Sequence, residues 1–200
     1  MTMIGFIRHG LTEWNKEHRI QGLRDEPLSP EGRAALRGLG PPDRLARARW
    51  MVSPLMRAVE TAELLGLDAI PEPLLVETDW GEWEGRTVHE LRSADPEGMA
   101  ENEQKGLDFR PPGGESPRDV QGRLIDWAEA LPETGPGPFG AVTHKGVIRA
   151  AVALALGWDM REPAPVKLKW TAAHILRVTK GGSFEPVELN VPLIRRGGAT

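Results

Sequence analysis

The chain contains no cysteine and no tyrosine among its 200 residues. Without cysteine there can be no disulfide, no thiolate nucleophile and no cysteine-ligated zinc or iron–sulfur cluster. Without tyrosine, no phenol can act as an acid or a nucleophile. Acid–base or nucleophilic chemistry near neutral pH would therefore draw on the few histidines, which are His9, His18, His89, His144 and His174.

Long apolar runs and an excess of positive charge are also missing. The purest apolar run, residues 150–156, is far shorter than the roughly 20 residues that a membrane helix needs. Near the start, Met3–Ile7 is interrupted by Gly5 and is too short for a signal peptide. The 25 Lys and Arg against 29 Asp and Glu give a net charge of −4, which argues against a nucleic-acid binder. We therefore expect a cytoplasmic protein without membrane or nucleic-acid partners.

Short apolar segments alternate with amphipathic ones along the whole chain. The expected strands are Met3–Ile7, Trp50–Val52, Phe139–Thr143 and Ile175–Val178, the last paired with a strand near Val187–Leu189. The expected helices are Glu31–Leu39 after the cap Ser29, Pro54–Leu65 after the cap Ser53, a helix from Pro117 to about Leu131 after the cap Ser116, and Val147–Leu156. This alternation predicts one α/β domain over residues 1–200, a three-layer sandwich with a mostly parallel central sheet flanked by helices.

Residues 86–114 break this rhythm. The segment is polar and rich in proline and glycine, and it contains only a weak helix pattern near Val88–Arg92. We expect a small lid over one edge of the sheet, because the segments on both sides carry candidate site residues. An ordinary surface loop is the alternative.

One glycine pattern imitates a nucleotide-binding loop. Gly135-x-Gly137-x-x-Gly140 fits the dinucleotide fingerprint by its letters. It precedes a strand, however, whereas the fingerprint follows one, and Pro136 and Pro138 stiffen it. We interpret it as a loop.

Candidate site residues follow three of the expected strands. Arg8 and His9 end the first strand, Arg57 lies in the helix after the second, and His144 follows the third. Ligands of open α/β sheets bind beyond the carboxyl ends of the strands, so these side chains should meet in one crevice. Arginine forks and helix N-termini there would suit a phosphoryl dianion. Taken singly, each histidine also fits a structural role, and Arg57 fits a solvated helix residue.

Six segments together carry a family resemblance. They are Arg8-His9-Gly10 with Thr12, Trp14 and Asn15; Asp25–Gly32; Ser53–Ala58 with Thr61 and Ala62; Glu77–Gly85; Pro112–Ser116 with Arg123; and Thr143–Arg149. In this order they resemble the phosphoglycerate-mutase-like branch of the histidine phosphatase superfamily. The similarity spans residues 4 to about 150, which is far more specific than the Arg-His-Gly triplet alone.

The resemblance implies a two-step phosphoryl transfer. His9 would become a phosphohistidine, while Arg8, Arg57 and His144 would hold the phosphoryl oxygens. Glu77 would protonate the leaving oxygen and then activate water, since it precedes Gly81 by four positions as the family's acid does. Asn15 resembles a further phosphate contact. We place substrate selection in Trp14, in residues 20–24, which include Gln21 and Gly22, in the segment 86–114, and in Lys145, which stands where the family commonly has glycine.

The resulting hypothesis is a metal-independent phosphatase, without a cofactor, acting on a small phosphorylated metabolite. No histidine pair at zinc spacing and no calcium-loop pattern occurs in the sequence. A cofactor-dependent phosphoglycerate mutase is the alternative, although the short chain favours hydrolysis. A phosphate-binding pseudoenzyme that acts as an interaction module is third, because it should lack the nucleophile or the acid. The sequence leaves the oligomeric state open, a homodimer included.

Overall fold

Strands and helices alternate from the first residues onward in a computed structural model, which describes residues 1–131, 137–179 and 182–196. Gly135 and Pro136 of the glycine pattern lie outside the described residues. The strands are β1 (Thr2–Arg8), β2 (Leu39–Gly40), β3 (Arg49–Val52), β4 (Ala69–Pro71), β5 (Phe139–Thr143), β6 (Ala172–Val178), β7 (Phe184–Pro192) and β8 (Ile194–Arg195). The α-helices are α1 (Glu13–Lys16), α2 (Pro30–Leu36), α3 (Met56–Leu64), α4 (Val88–Ala94), α5 (Pro96–Glu103), α6 (Pro117–Ala130) and α7 (Lys145–Leu156). In this part of the chain, no helix combines the length and the apolar character needed to cross a membrane.

The main sheet has six strands in the order β4-β3-β5-β1-β6-β7. The first four are parallel, while β6 runs antiparallel to β1 and β7 runs antiparallel to β6. The prediction of a mostly parallel α/β sheet is confirmed. Arg8 pairs with Thr143 and Val52 pairs with Val142, so β1, β5 and β3 end at the same edge. The segments after these three strands must therefore lie side by side.

Apolar residues alternate between the two faces of the sheet and bury a core on each side. In β1, Phe6 belongs to the core formed with α6 and α7, where its ring meets Trp127 edge-on at 6.1 Å. The next residue, Ile7, belongs to the opposite core with Leu36 of α2 and Ala58 of α3. This period of two is the strand pattern. The result is the expected three layers, with the sheet between two sets of helices.

Several predicted element boundaries are wrong. Helix α3 begins at Met56 with Leu55 at the N-cap position, so Ser53 is not the cap that its Ser-Pro pair suggests. Helix α2 ends at Leu36, and Leu39 lies in β2 instead, because Gly38 turns the chain with a φ of +74°. At the other boundaries, α7 begins at residue 145 and β6 begins at residue 172, both earlier than predicted.

The segment 86–114 contains more helix than predicted. It forms α4, α5 and a 3-10 turn at Gly106–Asp108. Thr87 and Glu90 make a reciprocal capping box at the start of α4. Asp95 caps α5 by accepting from the Gly98 N–H at 3.0 Å, with Pro96 in the first helical position. The Asp-Pro pair, interpreted as part of an irregular excursion, is a helix start of the usual kind.

Candidate active site

His9 lies directly after β1, with 4% of its surface exposed. Its ring Nδ1 is 2.7 Å from the Gly10 carbonyl oxygen. A carbonyl only accepts, so Nδ1 carries the proton and Nε2 keeps a free lone pair. Burial holds the pKa of His9 well below its usual value of 6.5, and the charges of Arg8 and Arg57 lower it further. His9 is therefore a neutral imidazole whose unprotonated nitrogen is Nε2.

The two arginines near His9 differ in what they bind. Arg57 is fully buried and donates from Nη1 to the Arg24 carbonyl at 2.7 Å, from Nη2 to the Gly22 carbonyl at 2.8 Å, and from Nε to His144 at 3.3 Å. Among the described residues, Arg8 makes no salt bridge or side-chain hydrogen bond, and its buried Nε has no partner. A buried N–H without a partner is rare unless a ligand satisfies it. Arg57 is held in place, whereas the donors of Arg8 remain available.

His144 lies behind His9, with a ring-centroid separation of 5.1 Å, and is fully buried. Its Nδ1 accepts the Arg57 Nε–H, so its Nε2 carries the proton and donates to the Ser53 hydroxyl at 2.7 Å. Burial, followed by the neighbouring His9 and Arg57, holds the pKa of His144 well below 6.5. Both ring nitrogens are thus engaged by protein groups, and the ring orients Arg57 from behind.

The main chain before and at Glu77 is fixed by two side chains from elsewhere in the fold. Arg123 on α6 donates to the carbonyl oxygens of Leu74 at 2.5 Å and Glu77 at 3.3 Å. Thr143, at the end of β5, donates from its hydroxyl to the Leu75 carbonyl at 2.7 Å. The Thr143 bond attaches the Glu77 segment to the strand end that precedes His144, and the Arg123 bonds attach it to α6.

The Glu77 carboxylate lies against the first turn of α7. Its Oε1 accepts from the main-chain N–H of Thr78 at 2.8 Å and of Gly146 at 3.1 Å. A Cβ at position 146 would collide with Glu77 Oε1 and Thr78 Oγ1, so only glycine allows this approach. The helix start therefore sets the position of the carboxylate.

A single pocket of about 1120 Å³ brings most of the predicted residues together. Of the nine predicted site residues, His144 alone is not in its lining; those that line it are Arg8, His9, Asn15, Gln21, Gly22, Arg57, Glu77 and Lys145. The oxygens of Asn15 and Gln21 accept from Thr12, at 3.2 and 3.1 Å. Within the described residues their amide NH₂ groups have no protein partner, which leaves donors toward the pocket. In the same part of the chain, no three His, Asp or Glu side chains group in a way that could hold a metal ion.

Four residues that support the site were not predicted to belong to it. Ser53 binds His144, and Thr61 accepts from the Gly10 N–H at 2.9 Å while donating to the Arg57 carbonyl at 2.6 Å. Arg123 and Gly146 position Glu77. All four lie in the segments that carry the family resemblance, so the sequence could have marked them as candidates for the site. Their hydrogen-bond partners are visible only in the folded structure.

Known proteins resemble this chain over most of its length. A family model described as the histidine phosphatase superfamily (branch 1) matches residues 4–192. A probable phosphoglycerate mutase GpmB of Cronobacter sakazakii is 34% identical over 164 residues, covering 78% of this chain and 76% of the relative. Phosphoserine phosphatase 1 of Hydrogenobacter thermophilus is 32% identical over 170 residues, covering 80% and 79%. The solved structure of a mycobacterial glucosyl-3-phosphoglycerate phosphatase with VO3 has a TM-score of 0.77 at 26% identity, covering 96% of this chain and 100% of that one.

A first prediction concerns the buried His174 of β6, whose pKa is lowered to about 4 by burial. The unfolded chain binds a proton at this residue below about pH 6.5 and the folded chain does not, so folding stability must fall as the pH drops from 6.5 toward 4. We expect His174→Asn, which keeps an acceptor for the Asn190 N–H, to lose about 1–2 kcal/mol less between pH 7.5 and 5.0 than the unaltered protein. Urea unfolding at the two pH values measures this. An identical pH dependence in both proteins would contradict it.

Proposed function

Because the chain belongs to the histidine phosphatase superfamily, branch 1, we propose that it is a phosphatase that hydrolyses a small phosphorylated metabolite through a phosphohistidine, without a metal or a cofactor. The observation that carries this proposal is the His9 ring, whose Nδ1 is fixed by the Gly10 carbonyl and whose Nε2 is free. This ring lines a pocket together with Arg8 and Arg57. A neutral imidazole beside fixed guanidinium groups suits attack on a phosphoryl dianion.

In the first proposed step, His9 Nε2 attacks phosphorus and a P–N bond forms as the ester P–O bond breaks. Protonated Glu77 gives its proton to the leaving alcohol oxygen. Arg8 and Arg57 bind the phosphoryl oxygens and stabilise the charge that spreads over them. The unsatisfied Nε of Arg8 and the open amide groups of Asn15 and Gln21 supply donors for the same oxygens.

In the second step, the Glu77 carboxylate takes a proton from water as the water oxygen attacks phosphorus. The P–N bond breaks, His9 returns to the neutral form, and phosphate leaves. In the proposed phosphoryl site, His144 acts by accepting the Arg57 Nε–H and so orienting Arg57. A direct bond from His144 to a phosphoryl oxygen requires a ring nitrogen to leave Arg57 or Ser53 first.

We further propose that residues 86–114 act as the lid of a single domain. Val88, His89 and Met99 of this segment line the pocket, and Phe109 meets the Trp80 ring edge-on at 5.9 Å. A lid would keep bulk water away from the phosphohistidine and select the substrate. The cytoplasmic location remains a prediction.

Phosphoglycerate mutase activity is the second candidate, because one of the relatives carries that name. Both activities use the same phosphohistidine, and they differ in whether water or a second hydroxyl accepts the phosphoryl group. With 3-phosphoglycerate as the probe, we expect release of inorganic phosphate to exceed formation of 2-phosphoglycerate. Phosphate release and isomer formation are measured in one time course, by colorimetry and NMR. Interconversion without net phosphate release would replace the phosphatase proposal by the mutase.

The nucleophile is tested with His9→Ala. We expect its turnover of p-nitrophenyl phosphate to fall by at least about 10³-fold, because no other side chain takes the phosphoryl group. The exposed His18→Asn variant is the matched control and should stay within about 2-fold of the unaltered protein. The unaltered protein should keep its rate in EDTA and should form an acid-labile phosphoprotein on rapid quenching. An active His9→Ala variant would contradict the mechanism.

The acid is tested with Glu77→Gln. An alkyl phosphate needs a proton on its leaving oxygen, whereas p-nitrophenolate leaves without one. We therefore expect about 10²- to 10⁴-fold loss of kcat/KM with an alkyl phosphate and a clearly smaller loss with p-nitrophenyl phosphate. Glu82→Gln alters an exposed acid in the same segment and should affect neither substrate. Equal slowing of both substrates by Glu77→Gln would remove Glu77 from the role of the acid.

A further inference from the structure

Two cations on one face of α7 line the pocket without a carboxylate partner. Lys145 is the first residue of the helix and Arg149 follows one turn later, so their side chains project from the same face. Within the described ranges, neither side chain takes part in a salt bridge or a side-chain hydrogen bond. They stand beside the proposed phosphoryl site, because Lys145 directly follows His144 and Gly146 binds Glu77.

Tryptophan rings hold these cations in place of acids. The Trp170 ring centre is 5.6 Å from Lys145 Nζ and 5.8 Å from Arg8 Cζ. The Trp158 ring centre is 5.3 Å from Arg149 Cζ. A ring face attracts a cation without cancelling its charge, as a carboxylate would. Within the described residues, no ion pair offsets the charges of these three side chains, and their nearest aromatic partners leave them facing the pocket.

Both tryptophan rings are fixed from beneath. Trp158 is buried and donates from Nε1 to the Glu162 carbonyl at 2.9 Å. Trp170 meets the buried His174 ring edge-on at 6.4 Å. The turn before Trp170 is held by the Asn190 side chain, which accepts from the Lys169 N–H at 2.6 Å. Lys145, Arg8 and Arg149 therefore pack against tryptophan rings that other parts of the fold hold in place.

Other cations of the pocket are neutralised by acids. Arg92 pairs with Glu103 at 2.6 Å, and Arg19 pairs with Glu17 at 2.7 Å. The pKa of Lys145 is lowered by desolvation and then by the charges of Arg149 and Arg8, while the Glu77 carboxylate acts in the opposite direction with a smaller effect. The two neighbouring cations therefore outweigh the one nearby acid at this wall of the pocket. A bound anion would relieve that repulsion.

We propose that Lys145 and Arg149 bind a second anionic group of the substrate, a carboxylate or a second phosphate, beside the phosphoryl group held by His9 and Arg8. The four-residue step from 145 to 149 corresponds to about 6 Å along the helix axis. The substrate class is then a short phosphomonoester with an acidic group a few bonds from the ester oxygen. This inference rests on the proposed function for the identity of the phosphoryl site, but binding alone can test it.

The test compares two esters that differ in one group. Glycerol 3-phosphate ends in CH₂OH where 3-phosphoglycerate ends in a carboxylate. Calorimetric titration of His9→Ala, which cannot take the phosphoryl group, gives both dissociation constants without turnover. We expect 3-phosphoglycerate to bind His9→Ala about 10- to 100-fold more tightly than glycerol 3-phosphate does. When Lys145→Met and Arg149→Met are added to His9→Ala, the ratio of the two dissociation constants should fall close to one. Propane-1,3-diol bisphosphate in the same titrations separates a second phosphate from a carboxylate.

Controls separate this pair from the general charge of the pocket. Arg92→Met removes a pocket cation that Glu103 already neutralises, and Arg44→Met removes an exposed cation paired with Glu188. Neither should change the ratio of the two dissociation constants. Equal binding of glycerol 3-phosphate, 3-phosphoglycerate and propane-1,3-diol bisphosphate to His9→Ala would overturn the proposal, as would an equal loss of the ratio of dissociation constants in Arg92→Met.

Kinetics give a second readout that does not depend on the folding of His9→Ala. In the otherwise unaltered protein, Lys145→Met with Arg149→Met should lower kcat/KM for release of phosphate from 3-phosphoglycerate by about 10- to 100-fold and leave glycerol 3-phosphate within about 2-fold. If the ratio of kcat/KM for 3-phosphoglycerate to kcat/KM for glycerol 3-phosphate is unchanged in this variant, the second anion site is overturned and the phosphatase proposal stands. If the protein binds 3-phosphoglycerate more tightly than glycerol 3-phosphate but releases phosphate from neither ester, the second anion site is supported and the phosphatase proposal is contradicted.

Discussion

The site depends on one electrostatic constraint, which is the concentration of positive charge at one edge of the sheet without an equal number of acids. Burial is the main cause that lowers the pKa of the His9 ring, and the charges of the flanking Arg8 and Arg57 lower it further. His144 is held neutral for the same reasons and can therefore accept the Arg57 Nε–H. Neutral imidazoles between guanidinium groups are thus the condition on which the proposed nucleophile, the orientation of Arg57 and the affinity for a dianion all rest.

The parallel pairing of β3, β5 and β1 creates that concentration. It aligns three strand ends, so residues 9, 57 and 144 meet although they are far apart in sequence. The same edge carries the start of α7, where the Gly146 N–H binds Glu77. Two of the supporting contacts then join the segments that follow these strands. Ser53 joins β3 to His144, and Thr61 joins α3 to Gly10. These hydrogen bonds attach the site directly to the central sheet.

The sequence predicted the parts of this arrangement that depend on local pattern. Short apolar strands, the Ser116 cap and the glycine at the end of α7 gave the layers, and the motif order pointed to the residues that share the pocket. It failed where a long-range contact overrides the local signal. Ser53 precedes a proline as a cap would, yet it is fully buried and its hydroxyl serves His144. In 86–114 only a weak helix near Val88–Arg92 was predicted and α5 was missed, because the caps Thr87 and Asp95 stand in a polar segment without a strong apolar period.

Arg149 shows most clearly what a sequence cannot reveal. A helical cation is ordinarily a solvated residue, and only its partners show whether its charge is cancelled. The partner of Arg149 is the Trp158 ring. Lys145, one helical turn earlier, contacts the Trp170 ring. An acid at either place would have neutralised the wall of the pocket, as Glu103 neutralises Arg92. Aromatic support leaves the charge to be balanced by a ligand. In the second anion site that we propose, an acidic group of the substrate supplies that balancing charge.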